Sequence, residues 1–279
     1  MKTLLKAVAF MAVFAAISPS LFAQWPPHRT RGVPRTSTGE PDLNGPTPRT
    51  SDGKPDFSGI WQTPRGAGGQ RGGGEAAPAV APETGPPLAT FGNAGSGFKD
   101  GLPYSQWAAD LVKQRMADNS KDNPDAHCLP MGFLQFHNHP EPRKIIQTPD
   151  VIVIIYEANS GLRQIFTDGR SLPGKDAEPW WYGYSVGKWE GDTLVVETTG
   201  FADGGWLDVR GSPLTDSARV IERFRRPNYG SLEIEITVDD PKAYTKSWTV
   251  KVNQRVMPDT ELIEFICQDR DATHYVGGK

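Results

Sequence analysis

The stretch SLEIEITVDD, residues 231–240, decides the fold class, because its apolar and polar side chains alternate strictly. In an extended chain Leu232, Ile234 and Ile236 share one face, while Glu233 and Glu235 share the other. This period of two residues is typical of a β-strand with one face against a core and one face in water.

Eight further segments after residue 142 have strand-like patterns, are separated by short turn sequences and have no helical period between them. We expect these strands at residues 144–149, 151–157, 162–168, 184–190, 192–199, 218–226, 247–256 and 260–268. A meander of this size must close on itself or pair with a second sheet to bury its apolar face. Because the connections are short, the pattern predicts an all-β, mainly antiparallel up-and-down barrel, with a β-sandwich as the alternative.

The chain begins with a segment typical of export. Residues 1–23 contain two lysines, then a short apolar run, and end in a small residue at Ala23, which predicts a secretory signal peptide. No other apolar run is long enough to span a bilayer, so we expect no membrane span after cleavage. The predicted location is therefore periplasmic or secreted.

The rest of the chain divides into two parts. Residues 24–103 are rich in Gly and Pro, which predicts a flexible arm that is anchored to the core through Trp61. Residues 104–279 form the predicted barrel domain, which begins with a short helix capped by Ser105.

The arm contains an internal echo. RTSTGEPDLNG begins at Arg35 and RTSDGKPDFSG begins at Arg49. The repeat is too short for a solenoid unit. We interpret both copies as extended segments with Gly turns.

Charge and cysteine content restrict the partners and the chemistry. The formal net charge is −3 and becomes more negative when the signal peptide removes Lys2 and Lys6, which predicts no nucleic-acid partner. Cys128 and Cys267 are the only cysteines, and in an oxidising compartment they are expected to form one disulfide.

Several motifs resemble those of a widespread family of exported bacterial proteins. They are QTPDVIVIIYE, RQIFTDGR, GYSVGKWEGDTLVVETTGF and DDPKAYTKSWT. The resemblance implies an exported, β-rich domain and carries over no catalytic residues. A weaker resemblance, through Gly59-Ile60-Trp61, is to the lipocalins, where Gly-x-Trp opens the first strand of the barrel; it implies a lipocalin-like barrel.

An aromatic cluster precedes the fourth predicted strand of the barrel domain. It consists of Trp180, Trp181, Tyr182 and Tyr184. At the mouth of a barrel such side chains stack on flat ligands or sugar rings. The alternative is that they fill the core as a hydrophobic plug.

Arg163, Asp168 and Arg170 place two guanidinium groups and one carboxylate in one hairpin. Arg163 or Arg170 could hold an anionic group of a ligand in a bidentate manner. The alternative is a structural turn at Asp168 with an internal ion pair.

Histidines in the loop FHNHPE provide candidates for acid–base or metal chemistry. His137 and His139 would point the same way if the chain were extended, and Glu141 would follow in register. This arrangement could bind a divalent metal, or one histidine could act as a general base. The alternative is a solvated surface loop, and the sequence leaves the cofactor unknown.

Three functional hypotheses follow. The first is an exported protein that binds a small, partly apolar or aromatic ligand through the aromatic cluster and Arg163 or Arg170. The second is a lyase, isomerase or hydrolase with its site in the barrel, in which His137, His139, Asp168 and Arg170 carry the chemistry. The third is a structural or interaction protein of the cell envelope.

Overall fold

The computed structural model describes residues 29–64, 85–174 and 176–265. The predicted signal peptide and Cys267 lie outside the described residues. Export and the disulfide to Cys128 therefore stay predictions.

Strands are the main regular structure of the described chain. The strands are β1 (Gly59–Gln62), β2 (Arg143–Gln147), β3 (Val151–Tyr156), β4 (Leu162–Phe166), β5 (Tyr184–Glu190), β6 (Thr193–Thr199), β7 (Gly205–Trp206), β8 (Pro213–Leu214), β9 (Arg219–Asn228), β10 (Ser231–Asp239) and β11 (Trp248–Val256). The helices are α1 (Gln106–Ala117) and α2 (Phe133–Asn138), and short 3₁₀ turns cover Pro124–His127 and Ala158–Ser160.

Nine of these strands close into a barrel in the order β1-β11-β10-β9-β6-β5-β4-β3-β2. β7 and β8 form a separate two-stranded sheet. The predicted all-β barrel is confirmed, and the sandwich alternative does not form. Inward positions alternate along the strands, as in β10, where Leu232, Ile234, Ile236 and Val238 are buried.

The ninth strand of the barrel is not the predicted one. Residues 260–265, the described part of the last predicted strand, have no regular structure. The arm supplies β1 instead, whose Trp61 pairs with Arg143 of β2 and with Val256 of β11. β1 is only four residues long and follows a Gly/Pro-rich segment, so alternation gives little strand signal. The Gly59-Ile60-Trp61 motif, through its lipocalin resemblance, did place the first strand of the barrel here.

One neighbour pair departs from the meander. β4 and β5 are parallel, with Ile165 opposite Ser185 and Phe166 opposite Val186. All the other neighbours in the barrel are antiparallel. The connection over residues 167–183 therefore has to return the chain to the end of the barrel from which β4 started.

The two ends of the barrel are closed differently. At the arm end, where β1 begins, the ring of Phe57 packs against Trp189 and Phe224 at centroid distances of 5.3 and 6.2 Å. At the opposite end, the helix end, all six residues of α2 are buried. The side chains of α2 contact residues on β3, β4 and β9.

Both helices can be compared with the sequence expectation. Helix α1 is confirmed, and the Ser105 side chain accepts a hydrogen bond from the backbone of Ala108. Helix α2 falls where the sequence predicts a Pro/His-rich loop, so that expectation was wrong. Gly132 explains part of the difference, because a Cβ there would lie 1.3 Å from the carbonyl oxygen of Trp206. The start of α2 is thus packed tightly against β7, a contact that the local sequence does not show.

The described parts of the arm pack more extensively than through Trp61 alone. Phe57 is buried at the arm end, and Ala89, Ala94 and Leu102 are buried in the hydrophobic core. The flexibility of the arm as a whole stays a prediction.

Replacing Trp61 with alanine is expected to lower the free energy of unfolding by about 3–5 kcal/mol, because the indole is fully buried. Denaturant unfolding followed by circular dichroism measures this change. Trp107→Ala is the control, since that side chain is 51% exposed and its removal is expected to change stability little. Equal losses in the two variants would contradict the role of β1 as part of the barrel.

Candidate functional site

A cluster of polar side chains lies inside the barrel near the helix end. We call it the polar centre, and its members are Tyr156, Arg163, Ser185, Thr198, Glu222 and His137. All six are buried. Buried groups of this kind are tolerated only when they are paired or serve a function, so the cluster is the main candidate site.

Strand alternation brings four of these side chains together. Arg163 on β4, Ser185 on β5, Thr198 on β6 and Glu222 on β9 occupy buried positions of their strands. The four strands are consecutive neighbours in the barrel. The side chains therefore form a polar band across four of the nine strands of the barrel.

Arg163 connects the members of this band. Its guanidinium donates to Ser185 at 3.0 Å, to Thr198 at 3.1 Å and to Glu222 Oε1 at 3.0 Å. A further hydrogen bond joins it to Glu222 Oε2. The cation also lies 4.6 Å from the ring centre of Phe133 on α2. Removing one partner of such a buried ion pair leaves the other charge uncompensated, which is strongly destabilising.

Glu222 remains ionised although it is fully buried. Burial by itself raises the pKa of the carboxyl, but the charge of Arg163 and the hydrogen bonds from His137 and Arg163 outweigh it and lower the pKa to about 2. At neutral pH Glu222 therefore accepts hydrogen bonds and does not donate them.

His137 enters the band from α2. Its Nε2 lies 2.9 Å from Glu222 Oε1, and because a carboxylate only accepts, Nε2 carries the hydrogen. Burial lowers the pKa of His137, although the hydrogen bond to Glu222 opposes this effect. The ring is therefore neutral at neutral pH and its Nδ1 carries a lone pair. This Nδ1 is buried and has no hydrogen-bond partner in the described structure.

Tyr156 completes the polar centre. Burial raises the pKa of its hydroxyl to about 12, although the charge of Arg163 opposes this effect. The ring of Tyr156 lies 6.3 Å from that of His137. A protonated phenol therefore stands beside the imidazole.

The position of His137 depends on Arg143, the first residue of β2. The Arg143 guanidinium donates to the carbonyl oxygens of His137, His139 and Glu141 at 2.5, 2.8 and 3.1 Å. Burial lowers its pKa to about 10, so it remains a cation at neutral pH. A cation at the end of a helix satisfies the last carbonyl groups and the helix dipole. Arg143 thus fixes the end of α2 from which His137 extends into the barrel.

Other polar atoms of α2 also lack partners. The side-chain amides of Gln135 and Asn138 are buried, and neither their oxygens nor their nitrogens have a hydrogen-bond partner in the described structure. Such groups in native proteins usually bind ordered water or a ligand. Buried polar atoms without a partner are therefore concentrated on α2, the helix that carries His137.

The four predicted catalytic residues do not form one site. Helix α2 ends at Asn138, so His139 is not in extended register with His137; it pairs with Glu141, and its ring lies 4.8 Å from Phe91. Asp168 and Arg170 form an ion pair of 2.6 Å on an exposed turn after β4. Of the four, only His137 lies in the polar centre.

The divergence of the two histidines also bears on the predicted metal alternative. Within residues 29–64, 85–174 and 176–265, no three His, Cys, Asp or Glu side chains are placed to hold a metal ion. The proposal of a metal at His137 and His139 thus receives no support from their geometry.

The predicted ligand-binding residues are divided between the inside and the outside of the barrel. Arg163 lies inside the barrel, where it forms an ion pair with Glu222. Tyr182 packs its ring 5.0 Å from that of Phe136 on α2. Trp180 and Trp181 are each 40% exposed. The sequence did not show this division, because it gave no position for the segment before β5.

The outer part of this segment forms an aromatic ladder, which we define as Phe166, Arg170, Trp180 and Tyr184. The rings of Phe166 and Tyr184 stack at 5.1 Å, and Trp180 lies 5.1 Å from Tyr184. Arg170 lies 3.9 Å above the ring of Phe166 and donates to the hydroxyl of Tyr184 at 3.1 Å. These contacts link the four side chains of the ladder to one another.

Sequence reasoning missed most of the polar centre. The missed residues are Arg143, Tyr156, Ser185, Thr198 and Glu222. The sequence does contain a signal that Glu222 points inward. Val220, Glu222 and Phe224 stand at every second position of their strand, so the carboxylate shares a face with two apolar side chains. The dense arginines around it predict a solvated strand, and this hides the one inward carboxylate.

Comparison with known proteins does not assign a family to the chain. The chain matches no protein-family model, no curated protein and no solved structure. The resemblance to exported bacterial proteins stays a prediction. Among the helices of the described residues, none is both long enough and apolar enough to cross a bilayer.

The free energy of unfolding is expected to fall as the pH is lowered from 7.5 to 5.5. In the folded chain the ring of His137 is surrounded by Glu222, Arg163, Arg143 and Tyr156, and its pKa lies below the unfolded value near 6.5. As the pH falls, the unfolded chain therefore takes up a proton on this histidine before the folded chain does, and the folded state loses stability. The low pKa of Glu222 acts with the same sign but at pH below about 4.5.

Thermal unfolding at the two pH values measures this dependence. The melting temperature of His137→Gln should fall less between them than that of the wild type. His127→Gln, at an exposed histidine, is the matched control and should retain the wild-type dependence. An unchanged dependence in His137→Gln would show that another group titrates.

Proposed function

We propose that the chain is an exported enzyme that performs acid–base chemistry on a small molecule inside the barrel, as a lyase, an isomerase or a hydrolase. The observation that supports this proposal is the state of His137: neutral, oriented by Glu222 through Nε2, and unpaired at Nδ1. A histidine with a purely structural role is normally hydrogen-bonded at both nitrogens when it is buried.

His137 would act as the general base through Nδ1. Glu222 would stabilise the imidazolium that forms when Nδ1 takes a proton, as a carboxylate does in other carboxylate–histidine pairs. Because Arg163 keeps the pKa of Glu222 low, the carboxylate would remain ionised and would not take the proton itself. Arg163 and Tyr156 would help to hold this geometry.

The burial of the centre supports the same conclusion. In a site closed to water, hydrogen bonds and charges act more strongly than in solution. The lowered pKa of His137 keeps the ring in its basic form at neutral pH. Export to the periplasm or to the outside, proposed from residues 1–23, would give the enzyme access to external small molecules.

Incubation of the protein with the small-molecule fraction of its native compartment tests the activity. Wild-type protein is expected to convert at least one compound, as detected by mass spectrometry. His137→Gln and Glu222→Gln should convert it about 100- to 10,000-fold more slowly, because each removes one part of the general base.

His127→Gln is the control variant for this experiment and should retain the wild-type rate. Circular dichroism establishes that the variants are folded. Conversion by His137→Gln at the wild-type rate, or no conversion by any folded wild-type sample, would contradict the proposal.

A second candidate function is the binding of a flat ligand at the aromatic ladder. It is favoured by the exposure of Trp180 and Trp181 and by the fixed position of Arg170 beside Tyr184. Exposed aromatic rings next to hydrogen-bonding groups suit sugar rings and aromatic compounds.

The double variant Trp180→Ala/Trp181→Ala tests this second candidate. Wild-type tryptophan fluorescence is expected to change saturably on titration with p-nitrophenyl glucoside, which carries an aromatic and a sugar ring. The double variant should lose the response while its melting temperature changes little, since both side chains are exposed. Trp107→Ala, another exposed tryptophan, should keep the response. A saturable response that survives the double substitution would place the ligand elsewhere.

A further inference from the structure

The internal echo of the arm forms the same loop twice. In the first copy Arg35 bridges to Pro41 and donates to the carbonyl of Gly39 at 3.0 Å. In the second copy Arg49 bridges to Pro55 and donates to the carbonyl of Gly53 at 2.8 Å. We call these loops clip 1 (residues 34–42) and clip 2 (residues 48–56).

The backbone hydrogen bonds of the clips correspond as well. Thr36 donates to Glu40 and Gly39 donates to Thr36, and the equivalent bonds join Thr50 to Lys54 and Gly53 to Thr50. Both glycines have a positive φ, which a side chain would strain. The repeated sequence therefore encodes one loop structure used at two places.

Each clip holds one aspartate of the barrel. Arg35 Nη2 reaches the two carboxylate oxygens of Asp259, which follows β11, at 2.7 and 2.8 Å. The two terminal nitrogens of Arg49 donate to the two oxygens of Asp192, in the turn between β5 and β6, at 2.9 and 2.7 Å. Arginine is suited to such contacts because its donors have a fixed, planar arrangement.

Residues 34–57, which we call the strap, contain both clips. The strap crosses the arm end of the barrel from the contact with Asp259 to the contact with Asp192. Leu43 and Gly45 accept backbone hydrogen bonds from Gly230 and Tyr229 in the turn between β9 and β10. The carbonyl oxygen of Asp56 accepts from Arg226. The strap is thus held at its edges by the clips and along its length by the backbone.

A row of aromatic rings connects the strap with the polar centre. Phe57 of the strap lies 6.2 Å from Phe224. Phe224 lies 6.1 Å from His137. Phe57 is therefore separated from the imidazole by a single ring.

We propose that the strap is a gate at the arm end of the barrel, that the two arginine clips hold it closed, and that its release opens the way to His137. This inference rests on the proposed function, because the gate would control the access of a substrate to His137 in the polar centre.

The duplication of the clip determines how the gate opens. The ion pairs are partly exposed, so each is weak alone and is screened by salt. When one clip is released, the other clip still holds the strap to the barrel. The released arginine therefore stays near its aspartate at a high effective concentration and rebinds. Loss of a single clip should therefore have little effect, whereas loss of both should leave only the backbone contacts of the strap and let it open more often.

Acylation of histidines by diethyl pyrocarbonate measures the access to His137. The rate at His137 is read by peptide mass spectrometry and divided by the rate at the exposed His127 in the same sample. Arg35→Gln and Arg49→Gln should each raise this ratio less than about threefold, and the double variant should raise it on the order of tenfold or more. In 1 M salt the wild type should approach the double variant, whose own ratio should not change.

Two further variants control this experiment. Arg223→Gln removes an exposed ion pair with Glu190 that belongs to neither clip, and should leave the ratio unchanged. Asp192→Asn/Asp259→Asn removes both clip contacts from the barrel side and should reproduce the double arginine variant, with circular dichroism establishing that the barrel is folded.

A wild-type ratio in both folded double variants would overturn the gate, as would an equal rise in Arg223→Gln. Because the measurement is of labelling and not of turnover, it is independent of whether His137 proves to be catalytic.

Discussion

The buried charge of Glu222 is the constraint on which the rest of the structure depends. Removing a carboxylate from water costs several kcal/mol, and the cost is offset only by well-placed partners. Arg163 and His137 are those partners, and they come from β4 and α2. Ser185 and Thr198 complete the hydrogen bonds of Arg163, and Arg143 fixes α2. The register of four strands and the docking of one helix are thus tied to a single carboxylate.

The strands of the barrel domain could be predicted from sequence because burial on one face imposes a period of two residues. The eight predicted segments between residues 144 and 256 all contain strands. β1 could not be predicted this way, because a strand of four residues shows too little alternation and is stabilised by both of its neighbours. Helix α2 likewise makes its contacts with distant parts of the chain, on β3, β4 and β9, which the local sequence does not show.

The site was predictable only in part. His137 and Arg163 were identified by residue type, but as members of different hypotheses, because the sequence does not show that α2 and β4 meet. Glu222 was hidden beside Arg223 and Arg225, whose side chains point outward. Asp168 and Arg170 satisfied the same chemical criteria, yet they pair with each other on the surface. Residue chemistry thus indicated the groups, while the inward or outward direction decided their roles.

The parallel pair β4–β5 follows from a parity rule. Around a closed ring of strands, direction reverses at every antiparallel contact, so an odd number of strands cannot all be antiparallel to their neighbours. With the arm's β1 included the ring has nine strands, and one parallel seam is obligatory. A seam of this kind requires a return path after β4, and the described residues of that path, 167–174 and 176–183, are mostly exposed. The exposed tryptophans lie at the end of that path, so their place on the surface is a topological consequence of recruiting a strand from the arm.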